Sequence, residues 1–89
     1  MSCHVEKMET ELLSLLSCFD GRLPLQDYED VRDLIVHREW GVGLETLCQQ
    51  LDEYEIAPSP AELLKIRELA DEMLMPVDTW SFLDKAHPG

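Results

Sequence analysis

Positive charge is scarce in this chain: 7 Lys and Arg stand against 19 Asp and Glu, a formal net charge of −12 over 89 residues. A surface that grips nucleic-acid phosphates or an anionic membrane face needs the opposite sign, so no direct nucleic-acid or membrane binding is expected. Cysteine is equally thin. Cys3, Cys18 and Cys48 are odd in number, widely spaced and without a CxxC pair, which argues against a disulfide framework and for a reducing compartment. No stretch approaches the ~20 apolar residues that span a bilayer, and the opening Met1 to Lys7 has no long apolar run behind a basic region. The expected location is cytoplasmic.

Groups for catalysis are sparse too. His4, His37 and His87 lie near the two ends and late in a helical stretch, without an i, i+4 partner or an HExxH frame. A zinc set of Cys3, His4, Cys18 and Cys48 matches no zinc-site spacing. Gly41-Val42-Gly43 lacks the third glycine and the preceding strand that a phosphate loop requires. Carboxylate pairs occur among so many acids, but they fall on outward helix faces with no apolar pocket to raise one pKa. Cys48, beside an apolar stripe, and Cys18, on the flank of the first helix, read as small buried hydrophobes. The chain is therefore expected not to be an enzyme, with no catalytic residue, metal or cofactor.

What is present is helical periodicity. With 45% apolar residues the chain escapes the low-hydrophobicity signature of disorder, and its length suits one domain over 1–89, with an ordered core of about residues 4–84. From Cys3 to Asp20, Val5, Met8, Leu12, Leu15, Leu16 and Phe19 recur at spacings of three and four. Gly21 and Pro24 then turn the chain. A second helix from Leu25 to Arg38 points Tyr28, Val31, Leu34 and Ile35 inward. Asp27, Glu29 and Asp30 suit its positive start, and His37 and Arg38 suit its end.

The third helix carries Trp40, Leu44, Leu47, Leu51 and Tyr54 on one face. Its glycines, Gly41 and Gly43, are unusual because glycine inside a helix costs ~1 kcal/mol relative to alanine. Gly41 suits the corner before the helix. Gly43 implies either close packing by a neighbouring helix or contact with a partner. After Ile56-Ala57-Pro58, Ser59-Pro60-Ala61-Glu62 is a capping box with proline at the first helical position. A fourth helix follows to Leu74, with Leu63, Ile66, Ala70, Met73 and Leu74 inward and Pro76 beyond it. Asp78 can cap a short last helix whose Trp80, Phe82 and Leu83 cover the end of the bundle, and Ala86 to Gly89 is expected to fray. The fold class is thus all-α: a small single-domain bundle of four main helices plus a short C-terminal helix.

Tryptophan is common at interface centres, so Trp40 and Trp80 are candidates for contact. Among leucines at helical spacing, however, Trp40 reads as core. The acids carry the functional signal. Glu29, Asp30 and Asp33 on the second helix, with Glu45, Gln49, Asp52 and Glu53 on the third, point outward from consecutive helices. Crowded carboxylates repel one another in the free protein, which makes sense where a basic partner neutralises them.

At Gly21-Arg22-Leu23-Pro24, at Tyr28 to Leu34 and at Glu39-Trp40-Gly41-Val42-Gly43-Leu44-Glu45 through Leu51, the chain resembles the MafI family of polymorphic-toxin immunity proteins. The likeness runs from about Leu12 to Leu83 and includes the Tyr54 to Ser59 connection; at Gly43 the family pattern favours alanine. The resemblance implies a cytoplasmic antitoxin that binds the C-terminal domain of a cognate secreted bacterial toxin in a 1:1 heterodimer. It implies a toxin domain such as a nuclease or ADP-ribosyltransferase. The residue reading adds that its active-site rim is basic and that the acidic surface occludes it. The alternative is an acidic helical adaptor or DNA-mimic regulatory module, which would compete for several unrelated DNA-binding proteins rather than one toxin.

Overall fold

The capping box at Ser59 forms as its sequence requires. The Glu62 backbone N–H donates to Ser59 Oγ at 3.2 Å and the Ser59 N–H donates to Glu62 Oε1 at 2.8 Å, with Pro60 in the first turn. A computed structural model describes residues 3–84, and side chains from Lys7 onward. Four helices follow one another: α1 (Cys3–Ser17), α2 (Leu25–Val36), α3 (Trp40–Glu53) and α4 (Pro60–Glu72). Two single turns of 3-10 helix, Val77–Thr79 and Ser81–Leu83, complete an all-α domain with no strand among the described residues. The tail Ala86 to Gly89 lies outside the described residues, as do the side chains of Cys3, His4 and Val5.

The helix ends share one device. After α2, α3 and α4 the chain passes through the left-handed region at Arg38 (φ 65), Glu55 (φ 53) and Leu74 (φ 56). The next residue's N–H then bonds back to the carbonyl five residues earlier: Glu39 to Leu34 at 2.9 Å, Ile56 to Leu51 at 2.8 Å and Met75 to Ala70 at 2.9 Å. This is the Schellman closure, here built without glycine. Only Gly21 (φ 84), after α1, uses the residue that adopts such φ without strain.

Leu12 and Leu16 of α1, and Phe19 in the turn just after it, pack with Val31 and Ile35 of α2, Leu44, Leu47 and Leu51 of α3, and Ile66 and Leu69 of α4. The 3-10 turns lie against α3 and α4 and bring Leu83 into this core, with Trp80 half-buried and Phe82 more exposed. They replace the single short helix expected there, and the Asp78 side chain makes no cap bond.

Four side chains depart from their expected places. Leu74 is 92% exposed because α4 stops at Glu72 and the left-handed turn breaks the helical register; Leu69 takes the core position instead. Tyr54, past the end of α3, is exposed rather than continuing the stripe. Cys18 lies on the surface, its Sγ 3.6 Å from the Ser14 carbonyl oxygen. Leu34 is half-buried at the α2–α3 contact rather than deep in the core.

Gly43 has a definite structural reason. A Cβ built there would sit 3.2 Å from Ile35 Cγ1 and 3.5 Å from Leu34 Cβ, so the missing side chain lets α2 and α3 approach. Trp40 supports the same corner: it is half-buried, and its indole N–H donates to the Ile35 carbonyl at 3.1 Å. At the other end of the hairpin, Tyr54 Oη donates to Asp27 Oδ2 at 2.5 Å. This bond, then desolvation, raises the Tyr54 pKa above the usual phenol value.

Candidate acidic interface

Glu29, Asp30, Asp33, Glu45, Gln49, Asp52 and Glu53 are all exposed. The seam between α2 and α3 is fixed by Gly43 against Ile35 and by Tyr54 with Asp27. Helical spacing from those anchors places Asp30 on the seam side of α2 and Asp33 on its crest, with Gln49 and Glu53 on the outer crest of α3, opposite Leu44, Leu47 and Leu51. The other members fall on the flanks. Glu29 lines a groove with Asp20, Tyr28 and Arg32 beside the α1–α2 corner, and Asp33 borders the same groove. Asp52 lines a different groove with Glu55 and Ile56, and Glu45 lies two turns earlier on that side of α3. The hairpin therefore spreads the acidic set over an arc around both helices.

The local electrostatics are lopsided. Between Leu25 and Glu55 there are nine carboxylates and two arginines. Helix C-termini carry partial negative charge and favour cations, yet α3 closes on Asp52 and Glu53, with Glu55 just beyond its cap. Each carboxylate there opposes the helix dipole by ~0.3–1 kcal/mol at low salt. Its backbone bonds do not require those acids. Elsewhere the scarce cations serve the fold: Arg22 bridges to Glu62 at 3.0 Å, and Lys65 pairs with Glu11 to join α4 to α1.

The Arg22 guanidinium is a node that the sequence did not disclose. It donates to the Cys18 carbonyl at 3.2 Å and the Ala57 carbonyl at 3.3 Å, and lies 4.6 Å from the centre of the Phe19 ring. Partial burial pushes the Glu62 carboxyl up, but the Ser59 backbone N–H and Arg22 outweigh it and hold its pKa below the usual value. The partners are 40 residues apart, so no local pattern could mark them. The Tyr54–Asp27 bond was hidden for the same reason.

Cys48 is fully buried, and burial, followed by the nearby Glu45 charge, pushes its thiol up to about 12, which makes it a poor nucleophile. His37 is tied to its own helix, Nδ1 lying 2.7 Å from the Asp33 carbonyl oxygen. Among the described residues no group of three or more His, Cys, Asp or Glu is arranged to hold a metal. No described helix is long and apolar enough to cross a membrane. The geometry defines a class rather than an individual: a small all-α domain with an acidic two-helix outer face. No family model, curated protein or solved structure matches the chain.

Proposed function

We propose that this protein is an immunity protein: it binds the C-terminal domain of a cognate secreted bacterial toxin in the cytoplasm and blocks the toxin's substrate cleft. The observation that carries the reading is the concentration of exposed carboxylates on the packed α2–α3 pair, where they oppose each other and the end of α3 without serving the core. The MafI resemblance supplies the biological setting. A nuclease or ADP-ribosyltransferase grips phosphates with basic residues, and an acidic surface is the complement of such a rim. The mechanism is occlusion. Steering by opposite charge gives capture at up to ~10⁸–10⁹ M⁻¹s⁻¹ at low salt, which suits a lethal free toxin.

The test is co-expression with the toxin domain encoded immediately upstream, with protection and complex formation as readouts. The native chain is expected to protect and to form a 1:1 complex whose association slows as salt rises. Glu45→Lys with Asp52→Lys is expected to abolish protection while the helical circular dichroism stays native. Failure of the native chain to bind that domain would sink the proposal, and full protection by the charge-reversed variant would move the interface elsewhere.

A further inference from the structure

Between α4 and the first 3-10 turn the chain alternates between anchor and projection. Met73 and Met75 pack against the core, whereas Leu74 is 92% exposed, Val77 is 58% exposed and Pro76 between them is exposed too. Backbone bonds hold that alternation: the Leu74 N–H donates to the Asp71 carbonyl at 3.0 Å, the Met75 N–H to Ala70 at 2.9 Å and the Thr79 N–H to Pro76 at 3.0 Å. The result is a braced apolar knuckle. Its base reaches α3, since a Cβ built at Gly41 would lie 4.0 Å from Met75 Sδ, and Val42 in the same first turn of α3 is 49% exposed.

One exposed leucine is ordinary, but Leu74 is unfavourable to the free fold on two counts. At φ 56 a glycine would close α4 without strain, and a polar side chain would meet water at no loss. Pro76 and Val77 extend the apolar surface through the same turn. Strain retained at an exposed apolar position calls for a contact outside the free fold. Charge then selects the partner. Asp71 and Glu72 before the knuckle and Asp78 after it are exposed, and each molecule carries a net charge of −12, so a second copy or an anionic membrane is repelled. We propose that the Leu74, Pro76 and Val77 knuckle inserts into an apolar patch bordered by lysine or arginine on a partner protein. A braced projection loses little conformational freedom on binding, so the burial of Leu74 is realised as affinity. This contact rests on the reading that the partner is a protein with a basic surface. It adds an apolar anchor at the end of α4 to an interface otherwise defined by the acids of α2 and α3.

The test uses the full-length protein with ¹³C-labelled methyl groups and a capped amphipathic helical peptide, leucines along one face and lysines along the other. A control peptide has every leucine replaced by serine. The leucine peptide is expected to shift the Leu74 and Val77 methyl signals and to bind about tenfold more tightly than the control. Leu74→Gly should erase that preference while the thermal midpoint holds or rises, which separates a lost contact from a lost fold. Val77→Ser should weaken it less, and Leu74→Met, which restores an apolar tip, should keep it. Undiminished preference in Leu74→Gly, methyl shifts confined to Val36 and Leu64, or equal binding of the two peptides would each overturn the knuckle. So would a concentration-dependent dimer, or binding of the native chain to neutral phosphatidylcholine vesicles, that Leu74→Gly abolishes, since these assign the tip to a second copy or to lipid. The titration contains no toxin, so its failure leaves the protection assay intact, and failure in that assay leaves the knuckle result standing.

Discussion

The two halves of the molecule handle charge in opposite ways. Where α1 meets α4 and the chain connections, carboxylates are paired: Glu11 with Lys65, Glu62 with Arg22. Where α2 meets α3, the contact is built from a missing side chain at Gly43, the Trp40 indole bond to a carbonyl and the Tyr54 hydroxyl on Asp27. The comparison teaches that ion pairs tie the first half together, whereas the α2–α3 seam is closed by close packing and by neutral donors. Surfaces whose charges the fold does not use are the ones available for recognition.

The largest effect should come from closing the gap at the seam. Gly43→Val adds an isopropyl group where its Cβ alone would approach Ile35 Cγ1 to 3.2 Å, so Ile35 or the α2–α3 hairpin must shift to admit it. The expected loss is about 1–3 kcal/mol in urea unfolding. An unchanged midpoint would show that α2 and α3 do not depend on this approach.

Next is the paired half. Arg22→Ala leaves Glu62 without its guanidinium and removes the bonds to Cys18 and Ala57 carbonyls. Because Arg22 is 38% exposed, solvent screening limits the expected loss to about 1–2 kcal/mol. Its pH dependence has a definite sign. Glu62 has a folded pKa below its unfolded one, so its contribution is full above the unfolded value and disappears as pH falls through the folded value. Arg22→Ala should flatten that acid limb, and an identical pH profile for the variant and the native chain would contradict the assignment.

Leu74→Gly should act in the opposite direction. Leucine at φ 56 carries the strain of the left-handed region, and its side chain is 92% exposed, so little packing is lost. Glycine relieves ~1–2 kcal/mol of strain but gives back part of that through the freer unfolded chain, leaving an expected gain of about 0.5–1 kcal/mol. A fall in thermal midpoint would mean that Leu74 packs in a way its exposure does not show.

Much of this fold was legible in the sequence because its signals are local. The leucine stripes of α1 and α3 and the Ser59–Glu62 box needed only spacing and cap chemistry. Helix C-termini were harder. Arg38, Glu55 and Leu74 close three helices in a conformation normally flagged by glycine, so the expected helix ran on to Leu74 and placed that residue inside. The exposure of the acidic set was legible for the same local reason as the stripes. Its distribution was not, since that depends on where α2 crosses α3, and the crossing is set by Gly43, Ile35, Tyr54 and Asp27 across long sequence separations.

The smallest effect separates the two halves most directly. Glu53 lies in the last turn of α3, where its charge opposes the helix dipole and adds to Asp52 and Glu55. Replacing it with glutamine keeps the shape and removes one repulsive charge, so Glu53→Gln should raise stability by about 0.3–0.5 kcal/mol at low salt. The gain should vanish near 1 M salt, where screening shortens the reach of charge to about 3 Å. The same substitution should weaken toxin capture, chiefly in its association rate. Increased stability joined to slower capture is the signature of a charge kept for a partner. A stability loss would place Glu53 among the structural charges of the α1–α4 half, and unaltered capture would remove it from the interface.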